Sequence, residues 1–210
     1  MSEPWSDGMG AMPRFSRAEL ESMRGVEVPD LVGPGLRLLF VGINPGLWTA
    51  ATQTHFAHPG NRFYPALHRA GIIPCPIDPA SGMTDADRAM MIEHGLGITN
   101  LVRRASARAD ELTRSELREG GDALTRFVAR HRPRVVAVAG ITAYRAAFGE
   151  PRATAGRQPE LLAGAALWVV PNPSGLNAHE TTASLAEKYA EPARAAGLLE
   201  EAGASAEILE

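Results

Sequence analysis

Two asparagines stand in turns that directly follow apolar, strand-like runs. Asn44 lies in Gly42-Ile43-Asn44-Pro45-Gly46 after Leu36 to Val41, and Asn172 opens Asn172-Pro173-Ser174-Gly175-Leu176 after Ala166 to Val170. A carboxamide offers an acceptor oxygen and N–H donors but takes no proton near neutral pH. Asn44 can therefore hold a water for attack and cannot ionise it. A strand that stops at Asn-Pro also delivers a polar side chain and bare amides to its carboxyl edge, where open α/β sheets bind ligands. One such turn alone reads as an ordinary Asn-Pro turn or an Asx-turn. Two of them, roughly 130 residues apart, read as two walls of one site.

Between them, His55-Phe56-Ala57-His58-Pro59-Gly60-Asn61-Arg62-Phe63-Tyr64 sets an aromatic, histidines and an arginine ahead of a helix. Phe56 offers a face on which a flat ring can stack, and Arg62 with the helix-start amides could take phosphate. His55 and His58 lack a third nearby ligand and read as surface polar residues rather than a metal site. Leu176 sits at a loop tip between polar residues, so it is either tucked into the core or a wedge into something stacked. Ser174 is outside a Gly-x-Ser-x-Gly frame, which argues against a nucleophile elbow. The glycines around Asn44 match neither a dinucleotide fingerprint nor a P-loop.

The elements that must position these residues alternate. Strands are expected at about 36–43, 97–102, 134–139 and 167–170, the last preceded by a hairpin or bulge around Gly164. Helices are expected at about 16–24, 61–70, 84–94, 115–131, 142–148 and 181–196, and 47–60 reads as a long loop. Alternation of this kind makes a three-layer α/β/α sandwich with a mostly parallel central sheet. Residues 1–30 read as a loosely ordered extension, 31–197 as the domain and 198–210 as a tail.

Composition narrows the function classes. The 210 residues carry a net charge of −3, from 21 basic and 24 acidic side chains, which argues against indiscriminate coating of nucleic acid. Cys75 is the single cysteine, excluding an internal disulfide and cysteine-held iron–sulfur or zinc centres. Lys188 is the only lysine and lies in a helical segment, so Schiff-base chemistry has no obvious carrier. With no apolar run near bilayer length and no signal-peptide pattern, a cytoplasmic protein is expected.

Four blocks in order carry a resemblance: Gly42-Ile43-Asn44-Pro45-Gly46-Leu47, Phe56 to Phe63, Gly97-Ile98-Thr99-Asn100-Leu101-Val102, and Pro171 to Leu176, with Arg118-Glu119-Gly120-Gly121 as a weaker fifth. Over about Pro34 to Ala196 the chain resembles the mismatch-specific uracil/thymine-DNA glycosylases of the uracil-DNA glycosylase superfamily. The resemblance implies that Asn44 orients the attacking water and Phe56 stacks on a flipped base. It implies a base pocket from Gly42, Ile43, Pro45, Gly46 and Asn172. It also implies DNA contacts from His58, Asn61, Arg62, Ser174, Gly175, Leu176, Asn177 and Ala178, with Leu176 as wedge. The expected enzyme is a monomer needing neither metal nor other cofactor, acting on duplex DNA with mispaired uracil. The chain departs from some bacterial relatives at Ala178, where they carry an arginine, and at Asn100, where some carry a lysine. A non-catalytic nucleotide- or nucleic-acid-binding module is the competing class. A nucleoside hydrolase would want a carboxylate cluster, which the motifs lack.

Overall fold

Five strands form one sheet in the order β2-β1-β3-β5-β4, described in a computed structural model that covers residues 15–200. The strands are β1 (Leu38–Gly42), β2 (Leu96–Asn100), β3 (Val135–Ala139), β4 (Gly156–Leu162) and β5 (Ala165–Val170). β1, β2, β3 and β5 are parallel, and β4 returns antiparallel beside β5. β1 and β3 are buried along their whole length on both faces, as a sheet covered by helices on each side requires. Alternation sorts their side chains. Leu38, Phe40 and Ala137 face one helical layer, from α3 (Phe63–Arg69), α4 (Asp85–Glu93) and α7 (Thr182–Ala195). Leu39, Val41, Val136 and Val138 face the other, from α5 (Arg114–His131) and α6 (Ile141–Phe148). This is the expected three-layer α/β sandwich.

Register places Gly42 beside Asn100, and Ala139 beside Val170, at one carboxyl edge. The chain leaves β1 for β2 on one side and later returns to β3 on the other, so the topological switch point falls between β1 and β3. The glycine pair in the middle of α5 lets the helix pack closely on the chain leaving β2 and on α6. A Cβ on Gly120 would stand 2.3 Å from the Leu101 carbonyl oxygen, and one on Gly121 2.7 Å from that of Ala147. The helical cost of two glycines, roughly 1 kcal/mol each against alanine, is the condition for this contact.

Several elements differ from the sequence expectation. Residues 47–52 are helical (α2, Leu47–Thr52), within the stretch expected to be loop, because Leu47 and Ala50 bury against Val28 and Ala105. β4 begins at Gly156, earlier than the hairpin signal around Gly164 suggested, and joins β5 through Ala163 and Gly164. Both have positive φ, as the right-twisted two-residue hairpin turn demands. Of the N-terminal stretch expected to be loose, residues 1–14 lie outside the described residues. The rest is built in: Ser16 caps α1 (Arg17–Ser22), Glu27 bridges Arg104 and Val28 is buried. At the other end Leu198 and Leu199 pack on the core, while 201–210 lie outside the described residues.

Candidate active site

The carboxyl edge of the sheet opens into a cleft of about 860 Å³. Its floor is Gly42 and Ala139, and its walls carry Asn44, Phe56 and Asn100 on one side and Asn172, Gly175 and Asn177 on the other. The two Asn-Pro turns thus do face each other across one site.

Asn44 is fixed by groups that decide which way its amide points. Its nitrogen lies 2.9 Å from the Pro45 carbonyl oxygen and 2.8 Å from Ser106 Oγ. Ser106 donates its single hydroxyl proton to the Arg108 carbonyl at 2.7 Å. Toward Asn44 both neighbours can then only accept, so the atom facing them is the NH2, and Oδ1 has no donor among the described residues in a side chain that lines the cleft. A carboxamide oxygen held in this way can accept from a water and orient its lone pair without taking its proton. Ser106 is buried and is bound to the turn a second time, its amide donating to the Pro45 carbonyl at 3.1 Å. Behind it Arg104 pairs with Glu116 at 2.5 Å, and Glu116 also caps α5 through Thr113. The Arg104 guanidinium, then the Thr113 amide and hydroxyl, hold the Glu116 carboxyl at about 2. The sequence reading missed Ser106. Its only local signal is a small hydroxyl residue in an arginine-rich loop.

Phe56 stacks on Phe63 with ring centroids 4.2 Å apart, which leaves its other side to the cleft. Its φ of 55° is strained for a residue with a side chain, at a cost of order 1 kcal/mol. Gly42 must be glycine for close approach: a Cβ there would lie 2.4 Å from Asn100 Oδ1 and 3.3 Å from Phe56 Cζ. The histidine expected at the surface beside Phe56 is instead buried. His55 Nε2 lies 3.0 Å from the Pro29 carbonyl and Nδ1 lies 3.1 Å from the Asn100 side-chain amide, while Tyr64 donates to the His55 carbonyl at 2.8 Å. Burial, opposed by the Pro29 hydrogen bond, pushes the imidazole below its ordinary value and favours the neutral ring.

The second wall is a tied loop. Asn172 Oδ1 accepts from the Ser174 amide at 3.0 Å, an Asx-turn, and its carbonyl accepts from Asn177 Nδ2 at 3.0 Å. Arg62 braces this loop. Its guanidinium donates to the carbonyls of Ser174 and Asn177 at 3.0 Å each, and to that of Glu180. Fixed carbonyls at hydrogen-bond distance hold the guanidinium inward. Asn61 uses Oδ1 on the Phe63 amide at 2.9 Å, an Asx-turn leading into α3. His58 is exposed and accepts from the Gly60 amide at 3.1 Å. Gly175 packs on Gly60, where a Cβ would stand 2.6 Å from the carbonyl oxygen. From this braced loop Leu176 projects with 93% of its surface exposed, beside exposed Ala178 and His179. It is not tucked into the core.

Among the described residues no group of three or more His, Cys, Asp or Glu side chains is placed to hold a metal, and no helix is long and apolar enough to cross a membrane. Lys188 pairs with buried Glu180 rather than facing the cleft.

The sequence model of the Uracil DNA glycosylase superfamily matches residues 29–194. Among solved structures, the fold is similar to the solution NMR structure of a Methanosarcina acetivorans protein described as a candidate uracil DNA glycosylase. The TM-score is 0.56 at 15% identity, covering 84% of this chain and 99% of that one.

Proposed function

The chain belongs to the Uracil DNA glycosylase superfamily, hydrolases of N-glycosyl bonds in DNA, and on that premise we propose that it excises uracil from mispairs with guanine in duplex DNA. The observation that carries the reading is the fixed Asn44 amide, with its free oxygen across the cleft from the projecting Leu176.

A base inside a duplex is out of reach and must be extruded, at a cost of a few kcal/mol that is least at a mispair. Leu176 fills the gap left in the stack and offsets part of that cost. The extruded base lies on Phe56, with its edge toward Asn100 above Gly42. As the N-glycosidic bond breaks, its electron pair leaves with the pyrimidine and positive charge grows on the sugar. The water held by Asn44 Oδ1 adds to the anomeric carbon, its proton passes to solvent, and free base and an abasic sugar result. Asn44 is no base, so the rate rests on water placement and on how well the leaving group carries charge. Uracil is a tolerable anion, and catalysis is slow and best for bases that leave well. Lys188 is paired away from the cleft and no other lysine stands among the described residues, which supports hydrolysis without an imine intermediate.

Asn100 adds to the base pocket suggested by the sequence. Its Oδ1 stands over Gly42 at the cleft floor, an acceptor with no protein donor among the described residues. It is placed to accept an N–H from the base edge. The protein is incubated in excess with G·U duplex, and the strand is then cut with alkali. Strand scission at uracil, undiminished by chelator, is expected. Absence of scission at enzyme excess would leave a binding module instead.

A further inference from the structure

An acceptor at the floor of the pocket selects bases only if something stops the amide from turning over. Left to itself, a carboxamide presents either its oxygen or its NH2 at little cost. Asn100 is not left to itself. The Pro29 carbonyl can only accept, so the proton of the neutral His55 ring sits on Nε2, 3.0 Å away. The other nitrogen, Nδ1, is then a bare lone pair, and 3.1 Å from it Asn100 must present its NH2. The oxygen is turned toward the cleft by elimination, over Gly42, where the missing Cβ makes room for it.

Resting on the glycosylase reading above, we propose that His55 is a positioning residue for base choice: by locking the Asn100 amide it admits pyrimidines with an N–H at that edge and rejects cytosine. Uracil and thymine carry a hydrogen on N3. Cytosine carries a lone pair there and would set acceptor against acceptor. That discrimination is the one a guanine-mispair enzyme needs most, because cytosine is guanine's normal partner. A buried polar group left facing its own kind is the strongest form of rejection a pocket offers.

The lock has a built-in weakness. A second proton on the ring turns Nδ1 into a donor, so the Asn100 amide turns over, Oδ1 accepts from the ring and the NH2 faces the pocket. Several groups act on that proton. Burial opposes it, as do the guanidinium charges of Arg88 and Arg103. The Pro29 carbonyl and the Asp30 carboxylate favour it. Tyr64, from α3, touches only the His55 carbonyl. Asp30 is itself occupied by Thr99 at 2.7 Å and Arg103 at 2.8 Å. The net effect lowers the ring's hold on that second proton, burial being the largest cause, so base choice weakens only on acidification.

The test is the ratio of affinities for duplexes with uncleavable 2′-fluoroarabino-uridine or 2′-fluoroarabino-cytidine opposite guanine. In the intact protein the ratio favours uridine and narrows on acidification. His55→Leu removes the acceptor and is expected to narrow the ratio by roughly tenfold at neutral pH, the scale of one lost polar pairing. His55→Asn keeps an oxygen near the place of Nδ1 and is expected to restore the ratio and abolish its pH dependence. An unchanged ratio in His55→Leu, or a failure of His55→Asn to restore it, overturns the assignment. Nitrogen-15 shifts of the wild-type ring test the same point without a variant: a protonated Nε2 and bare Nδ1 are expected, and the reverse tautomer overturns it. Should uracil excision itself be absent, the proposed function falls. Intact excision with an unchanged ratio removes only His55.

Discussion

Ser106 offers the sharpest test of how Asn44 works. Substitution by alanine removes the Oγ that accepts from the Asn44 amide at 2.8 Å and the hydroxyl that donates to the Arg108 carbonyl at 2.7 Å. The bond from Asn44 to the Pro45 carbonyl at 2.9 Å survives. The amide is therefore half-tethered, and its oxygen spends part of the time turned away from the water position. One net hydrogen bond is worth about 0.5–1.5 kcal/mol, which converts to a rate loss of about two- to tenfold at 1.36 kcal/mol per factor of ten. Asn44→Ala removes the water's partner altogether and is expected to cost roughly 10²-fold or more. Because Ser106 acts through Asn44, the two losses should not add, and Ser106→Ala in the Asn44→Ala background is expected to change nothing further. The assay is the single-turnover rate on a G·U duplex at enzyme excess, with duplex affinity measured in parallel. Equal losses from Ser106→Ala in both backgrounds would refute the argument, since the serine would then be acting by itself.

Three further expectations follow from the second wall. Leu176→Ala should slow excision from duplex more than from single strands, since only a duplex leaves a gap to fill; an equal loss on both would show that Leu176 contributes packing alone. Gly175→Ala puts a methyl carbon 2.6 Å from the Gly60 carbonyl oxygen, so the loop must shift. Duplex affinity is expected to fall while the thermal midpoint stays within a few degrees, and unaltered affinity would mean the loop is not a DNA contact. Ala178 is exposed and too short to reach the opposite strand, so preference for G·U over A·U should be modest and rise in Ala178→Arg; an unmoved ratio of single-turnover rates on the two duplexes would dismiss position 178 from opposite-base choice.

The sequence alone determined what short-range chemistry determines. Apolar runs that end at Asn-Pro specify strands with turns at their carboxyl edge, and alternation with helices specifies the layered sheet that gathers those edges. An aromatic on the loop ahead of a helix and a leucine at a polar loop tip were also legible, because each depends on its immediate neighbours. Tertiary structure decided which hydrogen-bonding groups are free to work. Arg62 looked available in the sequence and is spent on the 172–180 loop more than 100 residues away. His55 looked like a surface residue and is buried, with its ring fixed between Pro29 and Asn100. Ser106 carried no signal beyond its type, yet it aims Asn44 from 62 positions along the chain. The physical reason is that a polar side chain is defined by its partners. An amide's direction or a histidine's tautomer is settled only when folding brings those partners within about 3 Å.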